Sequence, residues 1–117
     1  MKFTDTLKKN YEFQRLYSKG KSAVTPFLVV YVRKTKKKTN RIGITVSTKL
    51  GKAVVRNRVR RRLREIYRLS EEAFVPGCEI VVVARVRAVK ASYSQLQKAF
   101  MSACAKLGIL REGSERA

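Results

Sequence analysis

The chain has 117 residues and carries 28 lysine and arginine residues against 8 aspartate and glutamate residues, a formal net charge of +20 at pH 7. Hydrophobic residues make up 44% of it, which excludes a disordered basic tail and is enough for a core without a disulfide or a metal. Because so much like charge repels itself in a folded domain, the composition predicts a polyanionic partner, with nucleic acid ahead of an anionic membrane surface.

Two further classes of protein fit the sequence poorly. No apolar stretch approaches the roughly 20 residues of a membrane span, and the opening stretch MKFTDTLKKNYEF lacks the apolar segment and cleavage site of a secretory signal. We therefore expect a cytoplasmic protein. Cys78 and Cys104 stand far apart in a chain without histidine, and we interpret them as reduced, buried thiols rather than as a disulfide or a metal site.

The first half of the chain predicts one helix and two strands. Asn10 is a good N-cap and Gly20 interrupts the helical spacing of apolar residues, so we expect a helix over 10–19. The β-branched and aromatic run 27–34 and the alternating run 41–47 predict strands. Because a short basic connection separates them, we expect the two strands to pair as a hairpin, with the connection adding long-range attraction for anions.

The second half predicts a helix, a strand and a helix. A long helix should cover 52–69, and the run 80–86 is apolar on both faces, which is typical of a central strand. The last helix should begin after Ser92, which forms a capping box with Gln95, and end at Gly108.

These elements follow the order αββαβα, and a short extra strand near 48–50 makes it αβββαβα. The sequence shows no internal repeat and no second domain. We therefore predict a single α+β domain over 1–117, with residues 111–117 as a frayed tail.

The segment VVRNRVRRRLREIYR (54–68) is the most unusual in the chain. At about 100° per residue, one sector of this helix should face the core, and it collects Val55, Val59, Leu63, Ile66 and Leu69. The opposite sector should face outward, and it collects Asn57, Arg60, Arg61, Arg64 and Arg68. Arg58 and Arg62 flank the apolar sector, and Arg56 lies near the start of the helix.

An ordinary solvated helix face is the simplest interpretation of these arginines. Such faces mix charges, however, because opposite charges four residues apart stabilise a helix and like charges do the reverse. Here Arg56 and Arg60, Arg60 and Arg64, and Arg64 and Arg68 are all like pairs of that spacing. Since a guanidinium group binds phosphate through two parallel hydrogen bonds, we favour a polyanion-binding surface.

Aromatic residues offer a second candidate surface. Phe13 and Tyr17 lie on one side of the first helix, and Tyr31 lies in the middle of a strand. They are either core residues or a platform on which unpaired nucleotides stack. Composition does not choose between these two roles.

The stretch KLGKAVVRNRVRRRLRE (49–65) closely resembles the RNR signature of the bacterial ribonuclease P protein subunit. LKKNYEFQRLY (7–17) is similar to the first helix of that family, RIGITVSTKLGKAVVRNR (41–58) to its strand-to-helix passage, and IVVVAR (80–85) to the strand that follows. The resemblance covers nearly the whole chain.

The resemblance implies a two-layer α/β sandwich with a left-handed βαβ crossover around the arginine helix, although most such crossovers are right-handed. It also implies a subunit that binds a large catalytic RNA and the 5′ leader of precursor tRNA. The complex removes that leader by hydrolysis, and the RNA with its Mg²⁺ ions performs the chemistry. No membrane, no obligatory protein partner and no protein-bound cofactor is implied.

The resemblance also assigns roles to residues. It assigns contacts with the catalytic RNA to Lys49, Lys52, Arg56, Asn57, Arg58, Arg60, Arg61 and Arg64. We add Arg68, which lies on the same face of the helix. Phe13, Tyr17 and Tyr31 match the aromatic cleft that holds the leader. Thr6 and Thr48 depart from the family, which usually carries basic residues there, so phosphate contacts at these two points should be weaker.

The residues themselves offer no apparatus for protein catalysis. The chain has no histidine, Asp5 is its only aspartate, and Glu71 and Glu72 are adjacent and project differently around a helix. No pair of carboxylates is therefore predicted to hold two metal ions for phosphodiester cleavage. The alternative to the processing subunit is an architectural ribosomal or nucleoid-type protein, which would give the aromatic residues no special role.

Overall fold

The computed structural model describes residues 4–111. Five strands and three helices follow in chain order: β1 (Thr4–Thr6), α1 (Asn10–Lys19), β2 (Lys21–Val24), β3 (Leu28–Lys34), β4 (Asn40–Thr45), α2 (Ala53–Ser70), β5 (Cys78–Ala84) and α3 (Tyr93–Lys106). Short 3-10 segments cover Thr48–Leu50, Glu71–Ala73 and Val86–Lys90. The predicted frayed tail lies, apart from Arg111, outside the described residues.

The strands form one sheet in the order β1-β4-β5-β3-β2. β4 pairs in parallel with both β1 and β5, whereas β3 pairs antiparallel with β5 and with β2. Because β4 and β5 are parallel neighbours and α2 lies between them in the chain, the segment from β4 to β5 is a βαβ crossover. Its left-handed sense stays a prediction.

The prediction that the strands over 27–34 and 41–47 pair as a hairpin is wrong. β3 and β4 do not pair with each other; β5 lies between them and pairs with both. The reason is burial: Ile80, Val81 and Val82 of β5 are all buried, so this strand takes the centre of the sheet, as its two-sided apolar sequence predicted.

Three local details also differ from expectation. The short strands β1 and β2 were not predicted, and Thr48–Leu50 is a 3-10 segment instead of an extra strand. Asn10 is the first residue of α1, and Lys9 occupies the N-cap position. β1, β2 and Thr48–Leu50 are short and largely polar, so they carry little of the apolar periodicity on which strand prediction depends.

Helices cover both faces of the sheet. On one face, alternate residues of β3 such as Val30 and Val32 pack with α2 and α3 in the main core. On the other face, Leu16 of α1 packs on Val81 together with Leu7 in a smaller core. The sheet with α2 and α3 thus forms the sandwich, and α1 covers part of the opposite face. The predicted mixed α+β fold is confirmed.

Two further local predictions agree with the structure, although β5 ends at Ala84 and α3 at Lys106, two residues earlier than expected in each case. Ser92 Oγ accepts from the backbone N–H of Gln95 at 3.1 Å, and Gln95 Oε1 accepts from the N–H of Ser92 at 2.9 Å, which is the predicted capping box. Cys78 and Cys104 are buried free thiols, and burial raises the pKa of each. Within 4–111, no helix is both long enough and apolar enough to cross a membrane.

Candidate RNA interface

α2 packs on the sheet through one narrow side. Val59, Leu63 and Ile66 are buried as predicted, and Val55 is half-buried. The prediction for Leu69 is wrong, because its side chain is 62% exposed while Tyr67 is buried instead. The Tyr67 ring packs against two other aromatic rings of the core, with centroids 5.1 and 6.5 Å away, and this packing turns Leu69 toward the surface.

The outward side of α2 presents unpaired guanidinium groups. Arg58, Arg61 and Arg64 are exposed, and none of the three forms a hydrogen bond or an ion pair with any described residue. Asn57 is also exposed, and Arg60 is half-buried with its Nη1 donating to Asn57 Oδ1 at 3.1 Å. The prediction that this side of the helix faces outward is confirmed, and its charges are free to meet an external anion.

Three other arginines of α2 are held by the protein itself. Arg56 Nε donates to the carbonyl of Gly51 at 3.1 Å, and Arg62 Nη1 donates to the carbonyl of Ala91 at 3.1 Å. Arg68 forms an ion pair with Glu65 at 2.5 Å, and its hydrogen bond lowers the pKa of that carboxyl. Arg68 is therefore the predicted RNA contact whose charge is most nearly neutralised by another described residue.

Lys49 and Lys52 lie at the positive end of α2. Lys49 belongs to the 3-10 segment, Lys52 is the N-cap residue of the helix, and both are exposed. Gly51 joins them with φ of 130°, a backbone conformation that other residues avoid. No side chain caps α2, so its first N–H groups and the two lysines together favour a bound anion.

The three predicted aromatic residues meet on the opposite face of the sheet. Tyr31, Val81 and Gly43 lie side by side in one row across β3, β5 and β4. The Phe13 ring rests on Gly43, where a Cβ atom would come within 2.6 Å of two ring carbons. The Tyr17 ring contacts the Tyr31 ring edge-on at 5.0 Å.

Core packing and surface exposure are combined in these aromatic residues. Phe13, Tyr17 and Tyr31 are half-buried and pack on the smaller core. The Tyr17 hydroxyl lies 3.2 Å from the Thr45 hydroxyl, which holds the ring in place. Both roles considered from composition fit this geometry, because each side chain packs on the sheet while part of it stays accessible.

A narrow cleft of about 130 Å³ connects Phe13 with α2. Phe13, Arg60 and Arg64 all line it, whereas Tyr17 and Tyr31 do not. Thr6 also lines it, from the end of the unpredicted strand β1. The structure thus brings one predicted aromatic residue and two predicted arginines to one site, which we call the leader cleft.

A buried acidic residue organises the row next to Tyr31, and the sequence reasoning missed it. Glu79 is 4% exposed and pairs across the sheet with Arg33 and Arg41. Its carboxylate lies 3.0 Å from Arg33, 3.7 Å from Arg41 and 3.6 Å from Arg15 of α1. The signal was a single glutamate at the start of an otherwise apolar strand.

Glu12 completes this charged row from α1. Arg41 donates to Glu12 Oε2, and the backbone N–H of Lys9 donates to Oε1 at 3.2 Å. Burial by itself raises the pKa of Glu12, but these hydrogen bonds and the charge of Arg41 outweigh it and hold the pKa below its ordinary value of 4.5.

Acidification should therefore weaken the fold through Glu12. Because its folded-state pKa lies below the unfolded value, its stabilisation is fully present above pH 4.5 and is lost as the pH falls through the folded-state pKa. We expect the free energy of unfolding of Glu12→Gln to fall less steeply than that of the wild type on acidification. Urea titrations at several pH values measure this, with the exposed Glu72→Gln as control. Equal slopes in both variants would contradict the assignment.

An outward arginine helix beside an aromatic cleft, on an α+β sheet with a large positive charge, defines an RNA-binding protein. The model of the ribonuclease P family matches residues 1–108, and the chain belongs to that family, the protein components of ribonuclease P. It is thus the protein subunit of an endoribonuclease that processes precursor tRNA and whose activity is carried by RNA. The purely architectural alternative is set aside.

Individual relatives support this assignment. The ribonuclease P protein component of Alkaliphilus oremlandii is 39% identical over 110 residues, which cover 94% of this chain and 96% of the relative. That of Clostridioides difficile is 45% identical over 96 residues, covering 81% and 84%. Among solved structures, the RNase P protein of Staphylococcus aureus superposes with a TM-score of 0.83 at 34% identity, covering 91% and 97% of the two chains.

Proposed function

We propose that the chain holds the catalytic RNA of ribonuclease P on the outward side of α2 and the 5′ leader of precursor tRNA in the leader cleft. The observation that carries this proposal is the cleft itself, which Phe13 lines together with Arg60 and Arg64. An aromatic ring beside guanidinium groups suits a single strand, because bases stack on the ring while phosphates contact the cations.

The same proposal assigns the predicted residues to the two RNAs. Arg58, Arg61 and Asn57 line no part of the cleft and contact the catalytic RNA, together with Lys49 and Lys52 at the start of α2. Arg64 lines the cleft and is exposed, so it serves both RNAs. The half-buried residues Phe13, Tyr17 and Tyr31 contact the leader. Arg56 and Arg68, which the protein itself partly engages, contribute less to either RNA.

We propose further that the protein supplies no catalytic residue and no metal ligand, so that the RNA holds the Mg²⁺ ions needed for hydrolysis. Two buried acidic residues on the α1 side of the sheet support this, because Glu12 and Glu79 already face arginines. The complex is expected to act in the cytoplasm, away from membranes and without an obligatory protein partner.

Phe13→Ala tests the leader cleft. Loss of one stacking surface should weaken binding of precursor tRNA by the reconstituted complex by roughly 1–3 kcal/mol, which is about 5- to 150-fold. Mature tRNA, which lacks the leader, should bind unchanged. Fluorescence binding measurements with the two tRNAs provide the comparison.

Tyr11→Ala is the matched control for this experiment. Tyr11 lies on the same helix but is 60% exposed and lines no part of the cleft. Its removal should leave both affinities unchanged. A Phe13→Ala variant that loses affinity for mature and precursor tRNA equally would show that the ring does not contact the leader.

A further inference from the structure

A second groove, of about 560 Å³, is lined by no residue of α2 and is not used by the function proposed above. It is formed by the 3-10 segment Val86–Lys90, which follows β5 and contacts both α2 and the 3-10 segment Thr48–Leu50. The hydrogen bond from Arg62 to the carbonyl of Ala91 fastens this segment to α2. The groove shares no lining residue with the leader cleft.

The floor of this groove is apolar and partly open to solvent. Phe27, Leu50 and Val89 line it, with Phe27 and Val89 half-buried. Val86 adds an aliphatic side chain that is 60% exposed. An aromatic ring and aliphatic side chains in one concave patch offer a flat, planar group a place to pack.

The rim of the groove is cationic. Arg87 and Lys90 line it, both are exposed, and neither pairs with any described residue. No carboxylate is among the residues that line the groove. Lys49 and Lys52 are carried by the neighbouring 3-10 segment and the start of α2, so the positive surface continues from the rim to the proposed RNA-binding side of the helix.

One polar side chain is placed to read an edge of the bound group. The Oε1 atom of Gln95 is occupied by the N–H of Ser92 in the capping box. Its Nε2 amide donates to no described residue, and Gln95 lines the same groove. The capping box thus holds an amide donor in a fixed orientation at the rim.

We propose that this groove binds an unpaired nucleotide of an RNA strand, with the base on the Phe27 floor and the adjoining phosphates on Arg87 and Lys90. The amide of Gln95 donates to an acceptor on the base. The proposal rests on the RNA-binding function proposed above. Charge complementarity selects the ligand, because an apolar floor with two free cations and no acid on its rim matches a stacked base between phosphates.

Crosslinking locates the proposed site directly. A single-stranded oligouridylate that contains thiouridine is irradiated with the full-length protein, and the modified peptides are identified by mass spectrometry. We expect adducts within 85–91 or at Phe27 in the wild type, in addition to adducts near Phe13. The double variant Arg87→Gln, Lys90→Gln should lose the first group and keep the second.

A matched double variant removes the same charge elsewhere. Lys98 and Lys106 are exposed on α3 and lie outside the groove, so Lys98→Gln, Lys106→Gln should keep both groups of adducts. Affinity for the same oligonucleotide should fall about tenfold more in the Arg87, Lys90 variant than in this control, with a shallower salt dependence. Circular dichroism confirms that both variants are folded.

The outcomes separate the two proposals. Adducts near Phe13 without any at Phe27 or within 85–91 would overturn the second site and leave the leader cleft intact. Adducts within 85–91 that persist in the Arg87, Lys90 variant would also overturn it. Failure of the wild type to bind the oligonucleotide at all would overturn the leader cleft and the groove together.

Discussion

Replacing Arg58, Arg61 and Arg64 together by glutamine is expected to weaken binding of the proposed catalytic RNA partner about a hundredfold at moderate salt. The three guanidinium groups are exposed and engage no described residue, so each is available for a phosphate. Glutamine keeps nearly the same helix propensity. Because the substitutions also relieve repulsion between like charges along α2, the protein itself should stay as stable as the wild type.

The salt dependence of the affinity identifies the mechanism of this loss. Each phosphate contact that disappears should reduce the slope of log affinity against log salt by about 0.7 to 0.9. Titrations of labelled RNA at several salt concentrations therefore count the lost contacts. The control replaces Lys19, Lys98 and Lys106, three exposed cations on α1 and α3. If both triple variants lose affinity equally, only the net charge of the protein matters and α2 has no special role.

The sequence was sufficient to predict the surface of α2, because its pattern is local. Like charges repeat at helical spacing opposite Val59, Leu63 and Ile66, and a helix places such residues on opposite sides. The same reasoning failed at the last turn, where Leu69 and Tyr67 lie only two positions apart. There the choice was made by the aromatic rings of Phe74, which lies just beyond the helix, and of Phe100, which is remote in the sequence.

Sheet topology lay beyond reach of the sequence for a different reason. Alternation and β-branched residues indicated β3, β4 and β5 but said nothing about which strand would lie between the others. The pairing of β3 with β5 leaves β4 on the far side of β5, and it depends on contacts across more than forty positions of the chain. β1 and β2, which close the two edges of the sheet, are too short and polar to give a periodic signal.

The three aromatic residues were identified from the sequence and the family resemblance, but the residues that support them were not. Gly43 leaves room for the Phe13 ring, and Thr45 meets the Tyr17 hydroxyl. Glu79 gathers arginines from three different elements in the adjacent row. Each of these relations joins residues on different strands and helices, so no window of the sequence contains them.

Glu79→Ala is expected to be the most destabilising single substitution of a charged residue on this face. Removing one partner of a buried ion pair costs about 3–5 kcal/mol. Here the arginines are 23–36% exposed, so water screens part of the loss, and Arg41 keeps its contact with Glu12. We therefore expect about 2 kcal/mol and a melting temperature lower by roughly 8 °C.

Glu72→Ala is the control that separates the loss of the buried ion pairs from the change in net charge. Glu72 is exposed, and its removal changes the net charge by the same amount. Calorimetry should show a much smaller shift for it. Glu79→Gln should fall between the two, because the amide oxygen still accepts a hydrogen bond from Arg33 but no longer opposes its charge. High salt should reduce the difference in melting temperature between Glu79→Ala and the wild type, because it screens the repulsion among the arginines. If Glu79→Ala and Glu72→Ala have the same melting temperature, then the three arginines hold their positions beside Tyr31 without the carboxylate. Packing alone would then build the surface on which the leader is proposed to lie.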